Sequence, residues 1–105
     1  MKYTVLFLPD AEDDIRESYE WGVNYWGRTA ADKWIRSLYS AIFGRLKSFP
    51  KRCPLAPESA FTEREVRQLL LGRYRILFEI SRRSVIVLHV TGPFTEDRAE
   101  RERVE

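Results

Sequence analysis

Glu65-Val66-Arg67-Gln68-Leu69-Leu70-Leu71-Gly72-Arg73-Tyr74-Arg75-Ile76-Leu77-Phe78 is the stretch whose reading decides the fold. Two apolar runs flank Gly72-Arg73, and glycine in first place suits a two-residue hairpin turn, which demands positive φ there. The second run alternates, with Tyr74, Ile76, Phe78 and Ile80 on one face and Arg75, Leu77 and Glu79 on the other. Ser81–Ser84 reads as a second turn, and Val85–Thr91 as a nearly all-apolar strand broken by Gly92-Pro93. These three strands form an antiparallel meander whose apolar face needs a cover.

The first half of the chain supplies that cover. Tyr3–Leu8 is β-branched and aromatic and ends at Pro9, so it reads as a strand. Asp10 offers a helix-capping carboxylate, with Asp13 and Asp14 in the favourable first turn. Ala11, Ile15, Tyr19, Gly22/Val23 and Trp26 then follow at helical steps, and Gly27 stops the helix. Thr29 with Asp32 resembles a capping box for a second stripe: Ala31, Trp34/Ile35, Leu38, Ala41/Ile42, Leu46 and Phe49, ending at Pro50. Two helices about two residues apart fold back as an antiparallel hairpin. Residues 50–64 have no clean period and read as an irregular connection. Thr95–Glu105 can form a helix with an Asp97–Arg101 pair, but it lacks an apolar face.

The expected fold class is therefore α+β: an N-terminal strand, a helix hairpin and a three-stranded meander, with the helices on one face of the sheet. The 105 residues fit one domain, 1–105, in which 92–105 forms a flexible or partner-ordered tail. Charge is unevenly placed. Residues 1–27 carry two Lys/Arg against six Asp/Glu, residues 28–83 thirteen against five, and residues 84–105 three against five. The central basic block suits either nucleic acid or an acidic protein surface. The single cysteine, Cys53, excludes an internal disulfide and a cysteine-based metal site, and no metal or cofactor is expected. Its basic neighbour Arg52 can lower its pKa, but nothing else points to a thiol nucleophile. Neither a signal peptide nor a membrane-length apolar run is evident, so a cytoplasmic location is expected.

The order of elements, together with several local strings, resembles the RelE/ParE toxin superfamily. The strings are Leu8-Pro9-Asp10-Ala11-Glu12-Asp13-Asp14-Ile15, the Leu46…Phe49-Pro50 helix end and the Glu65–Phe78 hairpin, and the likeness covers residues 3–91. It implies a toxin neutralised by a cognate antitoxin that wraps the toxin's surface and touches DNA on the module's behalf. RelE-like members cleave messenger RNA on the ribosome. ParE-like members poison DNA gyrase and are not nucleases.

Metal-free RNA cleavage needs a base, an acid and cations around the phosphate. By the resemblance, Arg75 stands where RelE-like toxins place a phosphate-stabilising arginine. Gln68 should share its face but cannot exchange a proton. His89 falls on that face if the Ser81–Ser84 turn is one residue longer than minimal, and against Ile76 and Phe78 if it is minimal. Relatives often follow the last strand with a histidine and arginines; here Val90-Thr91-Gly92-Pro93-Phe94-Thr95 has no basic residue before Arg98. The incomplete set favours a ParE-like toxin that binds gyrase. The alternatives are a RelE-like nuclease using Arg75 and His89, and a degenerate member that keeps only its antitoxin. Arg45, Lys47, Lys51, Arg52, Arg64 and Arg73 would then form a contact surface for the antitoxin or the target, with Trp21 as an anchor off the apolar line. Arg67 should face the helices and pair with an acid of the first.

Overall fold

In the computed structural model, which describes residues 2–93, the chain runs β1 (Thr4–Phe7), α1 (Pro9–Trp26), α2 (Arg28–Leu46), β2 (Arg67–Leu71), β3 (Tyr74–Ser81) and β4 (Ser84–Thr91). The expected strand, helix hairpin and meander are all present. The N-terminal strand lies beside β4 and parallel to it, so the sheet has four strands in the order β1-β4-β3-β2 and is mixed. The other two pairings are antiparallel.

Helix starts differ from the sequence reading. Pro9 occupies the first turn of α1, so Leu8 rather than Asp10 is the cap residue. Proline suits that place because its missing N–H would have no helical partner there. One residue, Gly27, separates the helices; its φ of 91° lets it close α1 and open α2 at once. Consequently the Thr29–Asp32 box does not form, and Asp32 instead accepts a hydrogen bond from the Tyr19 hydroxyl, tying α2 to α1. The second helix stops at Leu46, which leaves Phe49 58% exposed rather than on the core stripe.

Gly72-Arg73 makes the minimal turn expected of it, with Leu71 opposite Tyr74 and φ of 60° at Gly72. On the helix-facing side of the sheet, Ile76, Phe78, Val85, Val87 and Val90 pack with Ile15, Leu38, Ile42 and Leu46. Burying an aromatic or branched side chain of this kind contributes roughly 1.5–3 kcal/mol apiece before entropy is counted.

The opposite face is not bare. Residues 50–64 contain two short 3-10 turns, Pro50–Arg52 and Pro57–Phe61, between which the chain runs along the outer edge of β2. The Gln68 N–H donates to the Pro54 carbonyl at 3.0 Å, and the Ala56 N–H to the Val66 carbonyl at 2.7 Å. Ala56 and Val66 then bury Leu77 in a second, smaller cluster. A segment without sequence period thus covers part of the second face. The Thr95–Glu105 helix and its Asp97–Arg101 pair lie outside the described residues.

Candidate functional site

Arg75 sits on β3 opposite Thr91 of β4, on the face away from the helices, as the alternation required. It is not a free cation there. Its guanidinium donates through Nη1 to Glu58 Oε1 at 2.9 Å and through Nη2 to Glu58 Oε2, a two-pronged pair. A further bond from Nη1 to Gln68 Oε1, 2.8 Å long, holds the third side chain of the group. Gln68 is on Arg75's face because the turn has two residues. Hydrogen bonds from Arg75 hold the Glu58 carboxyl at about 2, well below its ordinary 4.5, and the same bonds raise Arg75. Glu58 comes from the Pro57–Phe61 turn, so the covering segment is what neutralises the arginine.

His89 reaches Arg75's face by a route that turn length alone does not describe. The Ser81–Ser84 turn is minimal, which would send His89 into the core. A bulge intervenes: Phe78 pairs with Val87 but Leu77 pairs with His89, so Leu88 is extra and the later residues change sides. His89 is therefore exposed, while Val87 and Val90 stay buried on the helix side. Asp14 of α1 holds this bulge. Its Oδ2 accepts the Val90 N–H at 3.0 Å and lies 3.1 Å from His89 Nδ1. Each candidate catalytic group thus has a carboxylate on it.

The basic residues do not gather into one patch. Arg45 and Arg52 line a single groove between the end of α2 and β2. Arg52 stacks over the Phe49 ring, 4.3 Å from its centre. Lys51 lines a different recess with Arg67 and Arg82. Lys47 closes α2, its N–H bonded to the Phe43 carbonyl and its own carbonyl to the Tyr3 N–H. Arg64 pairs with Glu79 at 3.2 Å, and Arg73 occupies the exposed β2–β3 turn. Arg67 faces the helix side as expected but meets no acid of α1. It donates instead to the Cys53 carbonyl at 2.7 Å and approaches Glu65, so it ties down the connection. Burial pushes the Cys53 thiol up, against the lowering expected from its basic neighbour.

Trp21, the expected anchor, is half-buried, with its ring tilted against Tyr25 and edge-on to Trp26. Trp26, expected in the core, is 42% exposed. The Trp26 ring lies over Gly22 and edge-on to Trp34 of α2, at the rim of the helix hairpin. Among the described residues no cluster of His, Cys, Asp and Glu is placed to hold a metal, and no helix is long and apolar enough to cross a membrane.

The model of the ParE toxin of the type II toxin–antitoxin system parDE matches residues 5–92, nearly the whole described chain. The chain belongs to the ParE toxin family. As a member it is the toxin-type component of a type II module. Solved structures of toxin–antitoxin systems share its fold. The chromosomal ParDE system from P. aeruginosa superposes with a TM-score of 0.71 at 14% identity, covering 87% of this chain and 96% of that one. The RelBE2 toxin–antitoxin complex from Mycobacterium tuberculosis gives 0.63 at 22% identity, covering 90% and 94%. No curated protein sequence matches the chain.

Proposed function

We propose that this ParE-family chain acts by binding: it inhibits DNA gyrase in the cytoplasm and is neutralised by a cognate antitoxin. The single observation that carries the reading is the Glu58–Arg75–Gln68 group. A phosphate-stabilising arginine must present its donors to an incoming anion, and here two of them are already committed to a carboxylate. Gln68 beside it offers no proton at neutral pH. Both ParDE and RelBE2 are toxin–antitoxin systems, which supports an antitoxin as partner.

One observation favours a second reading, a ribosome-dependent messenger-RNA endonuclease. Arg75 and His89 share a face of the sheet, and movement of the Pro57–Phe61 turn would release the arginine. Inducible expression in a bacterium separates the two when growth, transcript integrity and the SOS response are followed together. The binding reading expects arrest with SOS induction and intact transcripts, retained in Arg75→Ala. Arrest with messages cut at ribosome-positioned sites, lost in Arg75→Ala, would replace it with the nuclease. No arrest at all would leave a degenerate member that keeps only its antitoxin.

A further inference from the structure

We infer that the groove between the C-terminal turn of α2 and β2 is a docking site for an acidic, apolar-anchored segment of the antitoxin. The inference rests on the toxin–antitoxin reading above and adds to it a place and a chemistry. The groove has a volume of about 420 Å³. Apolar surface is presented by Phe49, 58% exposed, and Leu70, 59% exposed. Arg45 and Arg52 supply its charge, Gln68 adds an amide, and no acidic residue lines it. Arg52 is held over the Phe49 ring, so cation and apolar surface are presented together. A segment pairing carboxylates with an apolar side chain matches both features, and nucleic acid matches only the charge.

Gly44 provides an independent observation. It lies inside α2, where glycine is among the least favourable residues. A Cβ added there would meet nothing within 4 Å, so no close packing in the chain requires the glycine. Its φ is not in the left-handed region either. What the missing side chain does leave is room, because Gly44 forms one wall of the groove. Helix stability is given up at the position where a side chain would stand in a partner's path.

The test uses the full chain and two labelled peptides, one alternating Glu with Leu and the other Lys with Leu, read by fluorescence anisotropy. The Glu/Leu peptide should bind, more weakly as salt rises, and the Lys/Leu peptide should not. Gly44→Leu and the double variant R45E/R52E should each weaken binding about tenfold or more. Lys33→Glu, an equal charge change per site at an exposed α2 residue outside the groove, should leave it unchanged. Gly44→Leu guards against misfolding, since leucine favours a helix and its thermal midpoint should not fall. Unchanged binding in Gly44→Leu, equal binding of both peptides or equal loss in Lys33→Glu would overturn the site. Growth arrest is then measured with and without co-expressed antitoxin. The proposal expects the groove variants to arrest growth and to escape the antitoxin. Folded groove variants that no longer arrest would assign the groove to the toxin's target and overturn the antitoxin assignment. Absence of arrest by the unaltered chain would instead count against the toxic function, and the peptide measurement would still judge the groove.

Discussion

The two faces of the sheet are built on opposite terms. On the helix side, Ile76, Phe78, Val85, Val87 and Val90 meet Ile15, Leu38, Ile42 and Leu46 of two helices whose stripes fit them. On the other side, Arg75 is answered by Glu58 and Gln68, and His89 by Asp14. The first face is held by apolar area and is indifferent to pH. The second is organised by a few directional bonds, any of which can be exchanged for a bond to a partner. One face makes the fold and the other holds the candidate site.

The sharpest way to break that contrast is to damage each face and compare the losses. Phe78→Ala should cost about 3–5 kcal/mol in urea unfolding, because a fully buried ring leaves a cavity that its neighbours only partly fill. Gly92→Ala should come next, at roughly 1–3 kcal/mol, since a Cβ there would stand 2.4 Å from the Tyr74 ring. Arg75→Ala should cost no more than about 1 kcal/mol, the scale of a partly exposed ion pair. A loss matching that of Phe78→Ala would mean the second face is as structural as the first.

A pH series sharpens the same comparison by a smaller effect. The Glu58 carboxyl is depressed in the folded chain, to about 2 from 4.5. Its contribution is therefore fully present above the ordinary value and is lost as pH falls from 4.5 toward 2. Thermal midpoints of the wild type should fall more steeply across that window than those of Glu58→Gln. Identical slopes would contradict the pair's role. Smallest of all, Gly44→Ala should raise stability by up to about 1 kcal/mol in the same unfolding assay.

How much of this was legible in the sequence divides along the same line. The helix-facing residues recur at regular steps, so the alternation of Tyr74 to Ile80 and the stripe through Ile15, Leu38 and Ile42 named the core in advance. Arg75 and Gln68 were placed on their common face by the two-residue Gly72 turn. Neither Glu58 as the partner of Arg75 nor Asp14 as the partner of His89 could be assigned, because each reaches across the chain from a segment whose local pattern says nothing about the contact. Glu58 lies in the aperiodic connection, and Asp14 looks like an ordinary acid near a helix start. The bulge at Leu88 escaped as well, since Val85–Thr91 is apolar on both sides and gives no period to interrupt. Of the groove residues, Gly44 did carry a signal. Gly44 did so because a glycine inside a helix departs from what helix stability alone would select, whereas Phe49 continued the apolar stripe and its exposure followed only from the helix stopping at Leu46.

On the function proposed above, the chain works by occupying a macromolecule and not by cutting one. DNA supercoiling by purified gyrase, titrated with the purified chain and with its R75A/H89A variant, tests it most directly. Both proteins should stop supercoiling at similar concentrations. Gyrase untouched by the unaltered chain, with messenger RNA cleaved on added ribosomes and spared by the double variant, would contradict it.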